Sequence, residues 1–93
     1  MAKYSIEVAD YDASRGVVVL TEEGGDIVVR LGSDGVKIEA NPAGLRDLAR
    51  WCLALADPDA PAGAHIHMNP GQYLLTGDSE SLTLGRSDPL RAQ

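Results

Sequence analysis

The spacing of the apolar residues changes at Asn41-Pro42, and this change constrains the fold more than any other feature of the sequence. Before it, apolar and polar residues tend to alternate as in strands; after it, apolar residues recur at helical spacing. Asn accepts hydrogen bonds from the free N–H groups of a first helical turn, Pro is tolerated in that turn, and Pro58 ends the pattern. The sequence therefore predicts one amphipathic helix over about residues 42–56.

The predicted helix has an apolar and a polar face. The apolar stripe, with the two residues that widen it listed last, comprises Leu45, Leu48, Ala49, Cys52, Leu55, Ala56, Trp51 and Leu53. Arg46, Asp47 and Arg50 fall on the opposite face and are expected in solvent. Cys52 lies within the stripe, so its thiol is expected to be buried.

Six segments have strand-like composition, because their apolar residues alternate with polar ones or are mostly β-branched. They are residues 4–9, 17–20, 27–31, 36–40, 64–68 and 81–86. Short turns join the first four, which predicts hairpins and antiparallel pairing. The predicted fold class is α+β: a mostly antiparallel sheet of five to six strands in the order ββββαββ, with the helix packed on one face.

The chain has 93 residues, room for one domain with one core. We expect a single α+β domain over residues 1–86, followed by a flexible C-terminal tail over residues 87–93. The sequence has no Phe and one Trp, so the core is expected to consist of Val, Leu, Ile and Ala.

The chain is acidic, with a formal net charge of −6. Binding to nucleic acid or to an anionic membrane requires clustered Lys and Arg, and the eight here are scattered. Both classes of partner are therefore disfavoured. A basic protein is a better candidate because an acidic surface attracts it, although negative charge is also a common route to solubility.

Cys52 is the only cysteine, so no internal disulfide can form. The first residues lack the apolar run of a signal peptide, and no segment has the roughly 20 apolar residues of a membrane span. These features predict a protein of the reducing cytoplasm.

His65-Ile66-His67 is the part of the sequence best suited to ligand binding or catalysis. Alternate side chains of a strand share a face, so both imidazoles are expected on the side opposite the helix and core. Such a pair can form a recognition patch or hold a metal ion. A metal site needs a third ligand, and Gln72, Asp78 and Glu80 do not continue a convincing ligand spacing. We therefore predict that the protein binds no metal and no cofactor. Under the less favoured metal-binding hypothesis, the candidate ligands are His65 and His67.

Catalytic constellations are not evident in the sequence. Asn69 stands where a histidine-triad nucleotidyl hydrolase has its third histidine, and an amide cannot supply that nucleophile. No Ser lies in a Gly-x-Ser-x-Gly elbow. The sequence favours a binding module over an enzyme.

After the predicted helix the chain continues with Pro61-Ala62-Gly63-Ala64-His65-Ile66-His67-Met68-Asn69-Pro70. This run resembles an immunity-protein family of bacterial polymorphic toxin systems, the one numbered thirty-two. Gly44 to Ala49, Leu53 to Leu55 and, more weakly, Ser79 to Leu84 extend the resemblance over about half of the chain. It implies a small cytoplasmic α+β protein that binds and neutralises a cognate toxin. The family pattern has an acidic residue as often as Asn at position 69.

The leading hypothesis is a module that neutralises a cognate toxin protein, which an acidic surface would suit if that toxin is basic. Its expected partner-binding residues are His65, His67, Asn69, Tyr73, Asp78 and Glu80. A plainer interpretation is that the histidines are ordinary exposed strand residues and the loop after them only connects. Two other functions stay open: a metal-binding protein or metal-dependent enzyme that uses the two histidines, and a homo-oligomeric accessory domain, such as a homodimer, that associates through a sheet edge or face.

Overall fold

A computed structural model of the protein describes residues 1–89. Within them the elements are β1 (Ile27–Gly32), β2 (Gly35–Ala40), α1 (Pro42–Leu55), β3 (His65–Met68) and β4 (Leu82–Gly85). The α+β class and the position of the helix are confirmed. The prediction of one sheet with five to six strands is not: the described residues contain four strands in two antiparallel hairpins, β1–β2 and β3–β4.

The first two predicted strands, residues 4–9 and 17–20, are not strands in the structure. Their apolar residues follow a strand-like pattern, but neither segment forms a ladder with a neighbouring strand. Val17 and Val19 pack against the core, and the carbonyl of Leu20 accepts a hydrogen bond from Trp51 Nε1 at 2.9 Å. Tyr4 is 87% exposed. The order ββββαββ is therefore replaced by ββαββ in the described part of the chain.

The β1–β2 hairpin pairs Ile27 with Ala40 and Val29 with Ile38. The other edge of β1 is covered by the segment 74–80, which is irregular but pairs with it in a strand-like way. The N–H of Ile27 donates to the Leu74 carbonyl at 2.8 Å, and the N–H of Glu80 donates to the Val29 carbonyl at 2.8 Å. The segment 74–80 occupies one side of β1 and β2 occupies the other. The outer side of β2 has no partner strand in residues 1–89, so β2 is an edge strand.

Helix α1 begins as the sequence predicts, with Asn41 as its N-cap. The Asn41 side-chain oxygen accepts hydrogen bonds from the N–H of Gly44 and of Asp26, so it also ties the helix to the start of β1. Gly44 lies so close to the hairpin that a Cβ there would be 2.6 Å from the Asp26 carbonyl oxygen. The absence of a side chain at Gly44 permits this close approach.

The helix is rotated relative to the sequence-based prediction. Its buried residues are Gly44, Asp47, Trp51, Ala54 and Leu55. Asp47 was expected in solvent and is fully buried, where its Oδ1 accepts from Arg50 Nη1 and from the N–H of Glu22. Cys52 was expected to be buried and is exposed. The guanidinium and the backbone N–H at Asp47 Oδ1 offset part of the cost of burying this carboxylate, while its buried Oδ2 has no hydrogen-bond partner in residues 1–89.

The core joins both hairpins to the helix. Its buried members are Ile27, Val29, Trp51, Leu55, Ile66, Met68, Leu75 and Leu82. The indole of Trp51 is fully buried, as its position on the helix predicts. Of the predicted tail, residues 90–93 lie outside the described residues. In residues 1–89 no helix is both long and apolar enough to cross a membrane.

Candidate functional site

The outer face of the β3–β4 hairpin carries the two histidines. Along β3 the burial alternates: Ile66 and Met68 are in the core, and His65 and His67 are exposed. The predicted placement of both imidazoles on one face, away from the core, is therefore confirmed.

A β-bulge sets the start of this face. Gly63 has φ +89°, its N–H donates to the Arg86 carbonyl at 2.9 Å, and the Arg86 N–H donates to the Ala64 carbonyl at 2.9 Å. This is the bulge that requires glycine in a left-handed conformation. It fixes the register in which His67 stands opposite Thr83.

A ladder of polar side chains holds His67 in place. Its Nδ1 lies 2.6 Å from Thr83 Oγ1 and its Nε2 lies 3.0 Å from Asn69 Oδ1. Ser81 Oγ donates to the same Asn69 oxygen at 3.4 Å. Since that oxygen can only accept, Nε2 carries a proton, and in the neutral ring Nδ1 accepts from the Thr83 hydroxyl. We call His67, Asn69, Ser81 and Thr83 the polar ladder.

The polar ladder bears on the metal hypothesis. Both ring nitrogens of His67 have protein partners, so coordination through either one must break a hydrogen bond. His65 Nδ1 lies 3.2 Å from the Gly63 carbonyl oxygen and therefore donates to it, which leaves Nε2. In residues 1–89, no three His, Cys, Asp or Glu side chains are grouped so that they could hold a metal ion.

A groove of about 190 Å³ runs along the free edge of β3. It is lined by Val17, Val19, His65, Ile66, His67, Met68 and Tyr73. Because the Ala64 carbonyl bonds to Arg86, alternation along the ladder turns the main-chain groups of His65 and His67 away from β4 and towards this groove. The groove therefore combines main-chain donors and acceptors with apolar side chains.

Tyr73 lies at this groove with an unusual backbone. Its φ is +50°, and it is the one non-glycine residue with positive φ in the described part of the chain. Its side chain is 72% exposed. A left-handed tyrosine costs conformational energy, and such positions concentrate at functional sites.

A model of a known protein family, described as Immunity protein 32, matches residues 35–87. The match spans 53 of the 93 residues and includes β2, the helix, and the hairpin with both histidines. The chain belongs to the immunity protein 32 family. No curated protein and no solved structure matches it.

The family match also includes Asp78 and Glu80, but the structure places them apart from the polar ladder. Asp78 Oδ2 lies 3.4 Å from Arg30 Nη2 on β1, and the backbone of Glu80 bonds to β1. A hydrogen bond from the Thr76 hydroxyl, with a backbone N–H and the Arg30 charge, holds the pKa of Asp78 below its ordinary value. The structure thus brings together His65, His67, Asn69 and Tyr73, with the two acidic residues on the neighbouring segment.

Four site residues were not predicted. Ser81 and Thr83 complete the polar ladder, and Val17 and Val19 line the groove. The alternation of Ser81 and Thr83 with Leu82 and Leu84 is a signal that would have placed both hydroxyls on the histidine face. No comparable signal shows that Val17 and Val19 lie beside β3, because that contact joins distant parts of the chain.

Proposed function

We propose that this immunity protein 32 family member binds a cognate toxin protein and neutralises it through the outer face of β3–β4. The contact surface would comprise His65, His67, Asn69 and Tyr73, with Asp78 and Glu80 at its margin. Membership of the family supports a toxin-neutralising role in general. The surface itself is inferred from its geometry.

The observation that carries the proposal is the polar ladder beside the groove. His67 is exposed, yet both of its ring nitrogens are held by neighbours. A side chain that is already fixed loses little conformational entropy when a partner binds, so more of its interaction energy appears as affinity. A pre-organised exposed face is what an inhibitor of a protein needs.

Tyr73 is the proposed anchor of the surface. Tyrosine is enriched among the residues that dominate interface energetics, because its ring buries a large area and its hydroxyl still finds a partner. Here the ring is exposed at the rim of a groove with apolar walls. A partner side chain could enter this groove and cover Tyr73 at the same time.

Charge favours a basic toxin. The net charge of −6 would speed the encounter with a positively charged protein. Asp78 and Glu80 are both exposed and could contact basic residues at the margin of the interface. Neutralisation by occlusion requires no catalytic group, so we propose a non-enzymatic protein that acts in the cytoplasm.

The test uses the toxin-domain protein that we expect the adjacent gene to encode. Co-expression of this chain should restore growth to cells that produce the toxin, and the two proteins should co-purify. Tyr73→Gly should weaken the complex by about thirtyfold or more, the loss typical of an interface anchor. Calorimetric titration of purified toxin gives the dissociation constants.

Glycine is the informative replacement because it removes the ring and adopts the left-handed backbone without strain. Thermal unfolding of the variant verifies that weaker binding does not reflect poorer folding. Tyr4→Gly is the matched control, since Tyr4 is also exposed but lies outside the site. The absence of any toxin-domain gene beside this one would contradict the proposed function. Equal affinity of the Tyr73 and Tyr4 variants for the toxin would contradict the proposed contact surface.

A further inference from the structure

The outer edge of β2 has no partner strand among residues 1–89. Ile27 and Val29 direct their main-chain groups to the segment 74–80, so their cross-strand neighbours Ala40 and Ile38 direct theirs away from β1. Val36 shares this orientation by the same alternation. The edge therefore presents the N–H and C=O groups of three residues to solvent.

Two of these three residues, Val36 and Ile38, also expose apolar surface. Val36 is 69% exposed and Ile38 is 43% exposed, although both lie on the face of the hairpin that carries the core residues Ile27 and Val29. Leu31, opposite Val36, is 64% exposed. Unpaired main-chain groups next to exposed apolar side chains are characteristic of an edge that accepts another strand.

We propose that β2 pairs with β2 of a second copy of this chain, antiparallel and about a two-fold axis at Ile38. Val36 then pairs with Ala40 of the second copy, and Ile38 pairs with its own counterpart. These are the residues whose main-chain groups point outwards, so each pair can exchange two hydrogen bonds. The interface is self-complementary, as a two-fold dimer requires.

The charges on β2 select this register. With the axis at Ile38, Lys37 stands opposite Glu39 of the second copy, and Glu39 stands opposite its Lys37. These positions lie between the hydrogen-bonded pairs, where cross-strand side chains are closest, and opposite charges there are stabilising. Moving the axis by one residue in either direction places Lys37 opposite Lys37 or Glu39 opposite Glu39. Both neighbouring registers are therefore disfavoured by repulsion.

The dimer would join the two hairpins into one four-stranded sheet. Its central apolar row would run Val29, Ile38, then Ile38 and Val29 of the second copy. The flanking rows would each join Leu31 and Val36 of one copy to Ala40 and Ile27 of the other. The proposed strand pairing thus gives the main-chain groups at the free edge of β2 hydrogen-bond partners. It also covers exposed apolar side chains. It is independent of the proposed toxin-binding surface, because none of these residues belongs to that surface.

The first test is the mass of the whole chain in solution. Sedimentation velocity from low micromolar to near-millimolar concentration should show a reversible monomer–dimer equilibrium. Added salt should weaken the dimer, because two exposed charge pairs contribute to it. A chain that remains monomeric at every concentration overturns the proposal, whether or not a partner protein later occupies the same edge.

Charge reversal tests the register. Lys37→Glu places two carboxylates opposite each other at both cross-strand pairs, and Glu39→Lys places two ammonium groups there. Each single variant should therefore raise the dimer dissociation constant by about tenfold or more. In a heterodimer of the two single variants, each cross-strand pair again holds one carboxylate and one ammonium group, so mixing them should restore dimerisation. The double variant Lys37→Glu/Glu39→Lys restores opposite charges at both pairs, and should dimerise about as strongly as the wild-type chain.

Lys3→Glu and Glu23→Lys make the same changes in net charge at exposed positions away from β2, and should leave dimerisation unchanged. Circular dichroism verifies that each variant is folded. Equal dimerisation of all four single variants, or failure of the double variant to associate, would overturn the proposed pairing.

Discussion

The β1–β2 and β3–β4 hairpins begin from similar patterns of alternating residues and end with different surfaces. In β3, Ile66 and Met68 both enter the core, and the opposite face is a hydrogen-bonded polar ladder. In β1–β2, Ile27 and Val29 enter the core, but the apolar residues nearest the turn remain exposed. Alternation thus determines which side chains share a face. How far a neighbour covers that face depends on the rest of the fold.

The largest difference should appear when isoleucines of the β1–β2 hairpin are truncated. Ile27 is fully buried and Ile38 is 43% exposed. Ile27→Ala leaves a cavity in the core and should lower the free energy of unfolding by about 3 kcal/mol. Ile38→Ala should lower it by about 1 kcal/mol or less, since much of that side chain already contacts water. Urea denaturation at a concentration where the chain is monomeric measures both values, and equal losses would contradict the partial coverage of this hairpin.

The helix covers the start of the β1–β2 hairpin through a close approach at Gly44. A Cβ at Gly44 would be 2.6 Å from the Asp26 carbonyl oxygen and 3.0 Å from Ile27 Cγ1, so the helix would have to move. Gly44→Ala should therefore destabilise the fold by about 2 kcal/mol, even though alanine is the better helix former. Gly32→Ala in the same hairpin meets no atom within 4 Å and serves as the control. A thermal denaturation series in which both variants lose the same stability would indicate that the approach at Gly44 is not a constraint.

Acid should weaken the contact between β1 and the segment 74–80 that covers its edge. Asp78 lies in the segment that covers the edge of β1, and its folded-state pKa is lowered by the hydrogen bond from the Thr76 hydroxyl, by a backbone N–H and by Arg30. A lowered folded pKa means that this contribution to stability is present above the unfolded pKa, near 3.8, and is lost as pH falls through the folded value. Asp78→Asn should remove this part of the pH dependence below about pH 4.

Asp34→Asn is the matched control for that experiment. Asp34 is an exposed aspartate in the turn of the same hairpin, and no ion pair or side-chain hydrogen bond of it is present in residues 1–89. Unfolding free energies measured from neutral to acidic pH should show a flatter profile for the Asp78 variant than for the Asp34 variant. Profiles that coincide would mean that Asp78 does not hold the covering segment in place.

The helix shows how far the sequence alone could predict this fold. Its bounds follow from local signals, the cap at Asn41 and the stop at Pro58, and the structure confirms them. Its orientation does not, because the burial of Asp47 depends on Arg50 and on the backbone of Glu22, which is distant in sequence. A charged residue next to apolar ones is expected in solvent unless its partners are known.

The strands and the candidate site have the same limit. The segment 17–20 has the β-branched composition of a central strand, yet it forms no ladder, because composition does not specify a partner. The common face of His65 and His67 was predictable from the period of a strand. The contact of His67 with Thr83 was not, since it depends on the register that the bulge at Gly63 sets.

The smallest effects on stability should come from the histidine face itself. His67 makes two side-chain hydrogen bonds in an exposed position, and such bonds contribute little to folding because water replaces them. His67→Ala should lower the free energy of unfolding by about 1 kcal/mol or less, and His65→Ala, which loses one contact to the Gly63 carbonyl, by less still. Urea denaturation measures both. A loss well above 1 kcal/mol at His67 would mean that the polar ladder holds the hairpin together. If the loss is small and His67→Ala still weakens the complex with the toxin, then the ladder is pre-organised for recognition, and the difference between the two hairpins is one of function as well as of burial.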